Sequence, residues 1–307
     1  MAGVAHSPQI VSNDSRGSDD SRTSSGPASS FGCRKPEPTD RIHDTQKRRQ
    51  SWWSGHWPTM VTVVVILVVW QLAVMWGHLP STVLASPTDV VAAIVRTWPS
   101  LGPATWTTLV EGFFGFLVAV VLGVLCGVWL YSSRTANAAV YPLVAAAQTL
   151  PLITVAPLFL IWFGFEPAGK VVIVAIFAIF PIVVQTVRGL KAVPQYYADV
   201  ALTCGASRAW TLWHVKLRVA GREIFGGIRV SAAYVFATAA TAEYLGARKG
   251  LGIWLQAAYN SFRTPLIFAA TVMIVLMTAV LLGLVQLCER VLLGRPGEND
   301  DPDADQF

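Results

Sequence analysis

The 307-residue chain is poor in charge: Asp, Glu, Lys and Arg make up 13% of it, against 53% hydrophobic residues. Soluble domains carry roughly 25% charged residues, so a soluble globular fold is excluded and an integral membrane protein is left. Catalytic patterns are missing as well. No Gly-rich loop runs into Lys and then Ser or Thr, which excludes P-loop hydrolysis of ATP on this chain. His-Glu-x-x-His does not occur, and the five histidines, His6, His43, His56, His78 and His214, are too scattered to build a metal site. No apolar run carries paired acids suited to general acid and base work. No catalytic residue, metal or cofactor is therefore expected. The four cysteines, Cys33, Cys126, Cys204 and Cys288, lack metal-ligand spacing. None falls on the outer side in the topology derived below, so no disulfide is expected. The net charge of +5 sits at the ends of apolar runs, where a membrane accounts for it and no nucleic-acid partner is needed.

Long apolar runs are what the chain has. A transmembrane helix needs about 20 mostly apolar residues, and six windows qualify: Met60–Gly77, Leu109–Leu130, Ala138–Phe163, Val171–Val187, Ile224–Leu245 and Leu266–Cys288. The expected fold is an all-α integral membrane protein, a bundle of about six transmembrane helices with a cytoplasmic coupling-helix loop. Residues 1–50 are rich in Ser, Asp, Arg and Gly and read as a disordered tail. Residues 51–106 hold the first span and an outer surface helix, 107–293 the core with a loop at 195–222, and 294–307 an acidic tail. Thirteen cations between Lys47 and Arg295 flank the spans on one side, while only Arg96, Lys170, Arg248, Lys249 and Arg263 flank them on the other. By the positive-inside rule both termini and the 195–222 loop are cytoplasmic.

Within the bundle, Pro87 and the helical spacing of Val90, Val91, Ile94 and Val95 predict a surface helix on the outer face. Gly112, Gly115, Gly123 and Gly127 permit close helix approach in the second span. Pro151 and Pro157 make the third span irregular, either as a wall of a translocation pathway or as a packing kink. Glu243 near the end of the fifth span reads either as a pathway or gate residue or as a hydrogen-bonding anchor to a neighbouring helix. Glu111 is expected at the interface and Lys170 as a snorkelling lysine.

The loop from Gln195 to Arg229 is longer than an ordinary connection. A short helix from Ala198 to Cys204 with Asp199 near its start, a left-handed Gly205, and a second helix capped by Ser207 form a helical hairpin. Its second helix is expected to present Ala209, Leu212 and Trp213 on one face, with Thr211, His214 and Arg218 opposite. Such a hairpin either lies on the inner leaflet or docks into a soluble partner, and the residue pattern alone leaves both open.

The run Asp199, Val200, Ala201, then Gly205 and Ala206, resembles the Glu-Ala-Ala, three residues, Gly loop of permease subunits of binding-protein-dependent ABC importers. L-P-L-I-T-V-A-P-L-F-L-I-W-F-G-F, F-P-I-V-V-Q-T-V-R-G-L and A-E-Y-L-G-A-R-K-G-L-G are similar to blocks of the nitrate, sulfonate and taurine type, in the family's order. The resemblance covers roughly 79–293. It implies cytoplasmic ATP-binding subunits gripping a coupling element built from Asp199, Val200, Ala201, Gly205, Ala206, Leu212 and Trp213. It also implies an extracytoplasmic solute-binding protein, a homodimer within membrane lipid, and a small solute such as nitrate, a sulfonate, taurine or a vitamin precursor. The chain departs from the family at Asp199, usually Glu, at Val200, usually Ala, and at Arg218 and Arg222, usually prolines. Without those prolines the second hairpin helix is expected to run toward the fifth span with less of a break. The competing class is a membrane scaffold that uses the same loop to anchor a soluble protein.

Overall fold

The computed structural model describes residues 40–77 and 84–294. In chain order the helices are α1 Asp40–Trp76, α2 Pro87–Ser132, α3 Arg134–Ala147, α4 Leu152–Phe163, α5 Pro167–Ala192, α6 Gln195–Thr203, α7 Arg208–Thr211, a π-helical turn Leu212–Lys216, α8 Leu217–Val219, α9 Gly221–Gly246, α10 Leu251–Asn260 and α11 Thr264–Leu293. The chain divides between Val61 and Thr62 into two units, the first of which contains, among described residues, only the start of α1. That helix begins at Asp40, inside the segment expected to be a disordered tail. The rest of that tail, and the acidic tail beyond Gly294, lie outside the described residues.

Four helices, α2, α5, α9 and α11, are long and apolar enough to cross a membrane, and α3 with α4 makes a fifth if the bent pair is one span. Of the expected first span, Met60–Gly77, the stretch Met60–Trp76 is a shorter apolar helix. The all-α, multi-pass bundle is thus observed with four to five long spans among the described residues.

The separate outer surface helix is not observed. α2 runs unbroken for 46 residues through Pro99 and Pro103, because an internal proline removes one backbone bond and bends a helix without always ending it. At 1.5 Å per residue α2 is about 69 Å long, more than twice a hydrocarbon core of about 30 Å. It starts at Pro87 as expected, and Ser86 caps the entry, its Oγ accepting from the Asp89 amide at 3.1 Å.

Packing centres on α2, α5 and α9. The glycine stripe of α2 faces its neighbours: a Cβ at Gly115, Gly123 or Gly127 would lie 2.6–2.9 Å from Val174, Ile182 or Thr186 of α5, and one at Gly112 would strike the Phe236 ring of α9. Helices drawn this close gain dispersion contacts in place of the hydrophobic drive that lipid cannot supply. Pro181 in α5 deprives the Phe177 carbonyl of its helical donor, and the hydroxyl of Tyr234 on α9 donates to that oxygen at 3.2 Å. Next to it Ser231 Oγ donates to the Ala178 carbonyl at 2.7 Å. Side chains of one span therefore repair the backbone of another, as a dry interior requires.

Candidate functional site

At one end of the bundle the chain between α5 and α9 forms the helical hairpin. α6 starts at Gln195, three residues earlier than expected, behind Pro194, whose fixed φ of −58° already suits a helix start. Asp199 therefore lies beyond the first turn and is exposed, so the helix-dipole argument for it falls away. α6 ends as expected. Gly205 takes φ +87°, the Ala206 amide donates to the Ala201 carbonyl and the Gly205 amide to Leu202, both at 3.0 Å, which closes a Schellman turn. Ser207 then caps α7, its Oγ accepting from the Trp210 amide at 3.2 Å.

The second arm departs from the expected face. Ala209 and Trp213 are exposed, while Thr211 is buried. A threonine is tolerated there because its hydroxyl donates to the Ser207 carbonyl at 3.0 Å. Leu212 packs against the bundle core, and the π turn that follows shifts the phase of the helix after it. Trp213 lines a different cleft, beside Leu217 and Ile224. Arg218 and Arg222 lie on either side of the joint, and only Ala220 (ψ −7°) interrupts the path from α8 into α9. Lys216 ties the hairpin to the end of α2, its ammonium donating to the Tyr131 hydroxyl at 2.9 Å.

Between the two arms opens an apolar groove of about 900 Å³ lined by Tyr196, Tyr197, Val200, Ala201, Cys204, Gly205, Ala206, Ser207, Trp210 and Val215. Of the sequence-predicted residues, Val200, Ala201, Gly205 and Ala206 meet here; Leu212 and Trp213 do not. Tyr196, Tyr197 and Trp210 were not singled out from the sequence. The spacing of Tyr196 and Val200, four apart on one helix face, was the signal that could have found the first of them. Val200 is 61% exposed and Trp210 48%, and the Trp210 ring stacks on His214 at 4.6 Å.

At the opposite end of the bundle Glu243 is fully buried. Thr108 Oγ1 donates to its carboxylate, 2.8 Å from each oxygen, and the Gly252 amide donates to Oε2 at 2.8 Å. The Leu251 amide donates to Thr108 Oγ1, also at 2.8 Å. The first amides of α10 are thus capped by side chains of α9 and α2. One turn along α2, Glu111 forms an ion pair with Lys170 of α5, and both are about 3% exposed. The lysine does not snorkel and the glutamate does not sit at an interface, because each neutralises the other inside the bundle. Pro151 and Pro157 lie apart from this cluster. Pro151 caps α4 at the break where α3 and α4 bend by 108°, and Pro157 is carried within α4.

Residues 119–294 match the family described as "Binding-protein-dependent transport system inner membrane component". The riboflavin transport system permease protein RibX of Chloroflexus aurantiacus is 33% identical over 245 residues, covering 77% of this chain and 90% of that protein. The formylaminopyrimidine transport permease protein ThiX of Halalkalibacterium halodurans is 28% identical, covering 75% and 92%. The taurine transport system permease protein TauC of Escherichia coli is 27% identical, covering 82% and 95%. Among solved structures, an inward-facing form of the MetNI methionine ABC transporter aligns with a TM-score of 0.55 at 20% identity, over 64% of this chain and 98% of that one, a likeness of fold. With more than half of its length matched by the family and a relative this similar along nearly its whole length, the chain belongs to the inner-membrane components of binding-protein-dependent transport systems, the multi-pass permease subunits of ABC importers.

Proposed function

We propose that this permease imports a small solute delivered by an extracytoplasmic binding protein, and that the 195–217 hairpin is the element through which ATP-binding subunits drive it. In this family ATP hydrolysis takes place on separate subunits. The observation that carries the coupling role is the apolar groove between α6 and α7: exposed Tyr196, Val200 and Trp210 at the end of a membrane bundle call for a cover that the described residues do not supply. Val200 and Ala201 line that groove beside exposed Asp199, Gly205 and Ala206 shape its turn, and Leu212 carries a push on it into the core, with Trp213 at the joint to α9.

In this reading the chain crosses the membrane six times, counting Met60–Trp76 and the α3–α4 pair, with both termini cytoplasmic. Two copies pair along α4, whose Ile153, Ile161 and Trp162 are more than 60% exposed. The solute passes near the bend marked by Pro151 and Pro157. Glu243 acts on the outer gate from within the bundle, by holding α10 to α2 and α9, and does not line the path. As to the solute, relatives named for sulfonates, taurine and nitrate support a small anion. The higher identity to the riboflavin and formylaminopyrimidine permeases favours a heteroaromatic vitamin or vitamin precursor.

The test of coupling is Gly205→Leu. A Cβ at Gly205 meets nothing within 4 Å, so the new side chain points into open space and not into the bundle. The variant should insert and assemble normally yet lose ATP hydrolysis stimulated by loaded binding protein. Wild-type stimulation in that variant would remove the hairpin from the mechanism. Calorimetric titration of the partner binding protein with riboflavin, thiamin precursors, taurine and nitrate decides the solute class.

A further inference from the structure

At the hairpin end of the bundle, the last turns of α5 and the first turns of α3 hold two cations in fixed positions. Arg188 Nε donates to the Tyr141 hydroxyl at 3.3 Å. Lys191 Nζ donates to Asn137 Oδ1 at 2.7 Å and stands over the same tyrosine ring, 5.1 Å from its centroid. Asn137 and Tyr141 are neighbours on one face of α3, as Arg188 and Lys191 are on α5, and the frame behind them is set by Val140 and Val144 packing on Val183 and Val187. Both cations are exposed, and among the described residues no carboxylate pairs with either. Engaging Nε leaves both Nη groups of the guanidinium unused, and the ammonium keeps two of its three N–H groups. A third exposed cation, Arg134, lies one turn before Asn137 on the same face of α3. Deeper along α3 the outward side is apolar, with Ala138, Ala139, Pro142, Leu143 and Ala146 all exposed and Leu143 at 69%. Prearranged donors at the inner end of two helices, above an apolar flank of one of them, match an amphiphile with an anionic head. Guanidinium forks bind phosphate oxygens in pairs, and basic pockets between spans on the cytoplasmic side take acidic lipid headgroups.

We propose that Arg188 and Lys191, positioned by Tyr141 and Asn137, bind the phosphate headgroup of an anionic phospholipid in the leaflet on the hairpin side, with its acyl chains along Pro142, Leu143 and Ala146. The lipid clamps α3, the first arm of the pair bent by 108°, to the end of α5, from which the hairpin departs at Gln195.

The test uses the assembled transporter, delipidated in detergent and titrated with dioleoyl phosphatidylglycerol or dioleoyl phosphatidylcholine, with retained lipid read by native mass spectrometry. Phosphatidylglycerol should be held roughly tenfold more tightly. Arg188→Gln/Lys191→Gln should erase that preference, while Arg208→Gln/Arg290→Gln, which removes the same charge from exposed positions on α7 and α11, should leave it intact. Tyr141→Phe changes no charge but frees the Arg188 side chain, and should lower the preference about threefold. That single variant decides the matter if the double variant fails to assemble, because a preference untouched by it would reflect net charge at the membrane surface and no built site. Equal retention of the two lipids, or a preference that survives loss of Arg188 and Lys191, overturns the proposal. Displacement of the lipid by inorganic phosphate at equal concentration assigns the cations to free phosphate and overturns it too. So does a preference that emerges only when the ATP-binding subunits are stripped away, which assigns these cations to an acidic surface of that partner.

Discussion

Gly205 and Gly250 both adopt positive φ, +87° and +120°, and both stand between two helices, yet one turn is open and the other is closed around a carboxylate. At Gly205 the space beside the backbone is empty, and the apolar side chains around it face outward. At Gly250 a Cβ would overlap the Glu243 carboxyl, and the amides that follow are taken up by Glu243 and Thr108. The closed end satisfies its first two α10 amides, Leu251 and Gly252, from α2 and α9. The open end keeps its backbone bonds in order but leaves tyrosine, valine and tryptophan exposed among the described residues, the imbalance on which the proposed docking there rests. Substitutions should therefore act on stability at the closed end and on communication with a partner at the open one.

The largest effect is expected beside the closed end. Lys170→Met would leave Glu111 buried without its counter-ion, a loss of about 3–5 kcal/mol, since breaking one half of a buried pair strands a charge. The apparent melting temperature of the purified protein should fall by about 10 °C. Adding Glu111→Leu should recover most of that fall, because an apolar pair of similar volume needs no compensation. At the open end Arg208→Met, on an exposed residue, should leave the melting curve where it was. A Lys170→Met protein that melts with the wild type would mean the pair is not part of what holds α2 to α5.

A narrower comparison uses the two glycines themselves. Alanine at Gly205 meets only the left-handed backbone penalty, about 1 kcal/mol and confined to the hairpin. Alanine at Gly250 adds a collision with the Glu243 carboxyl to its own strain, about 2–4 kcal/mol, transmitted to α2, α9 and α10 together. Thermal unfolding should separate the variants clearly. Equal shifts would show that the Glu243 cage has room to relax and that the contrast between the ends is smaller than the geometry suggests.

What could be read from the residues was local. The left-handed Gly205, the Ser207 cap, the helix start at Pro87 and the glycine stripe of α2 all rest on neighbours within one or two turns, and all are found. The breaks were harder. A separate surface helix before the second span was expected, yet α2 is continuous, because the backbone bonds lost at Pro99 and Pro103 were offset by packing along the rest of the helix. Pro151 marked the break in the third span, but no local rule sets a bend of 108°. The ion pair of Glu111 with Lys170 joins residues 59 positions apart, and the Glu243 cage joins Thr108 to a turn 143 positions later, distances over which sequence carries no geometric signal. Of the hairpin residues, the turn was legible and the aromatic rim was not, since Tyr196, Tyr197 and Trp210 look like ordinary interface aromatics until the hairpin brings them to one groove.

The smallest predicted effect tests whether the open end is a unit of its own. Ser207→Ala removes one hydrogen bond, to the Trp210 amide, and caps of this kind contribute about 1 kcal/mol. If α7 is held mainly by its own cap and only lightly by the bundle, the loss stays local: hydrogen exchange at the Trp210 and Thr211 amides should quicken roughly fivefold, with no shift in global melting. Thr211 sharpens the point, because its hydroxyl donates to the Ser207 carbonyl and should keep the first turn from unravelling completely. A global shift instead would mean that the second arm of the hairpin is welded to the bundle through Leu212 and Lys216. An element so fixed could still transmit force, but it could not serve as a hinge, and the motion would then have to pass through α6 and the Gly205 turn alone.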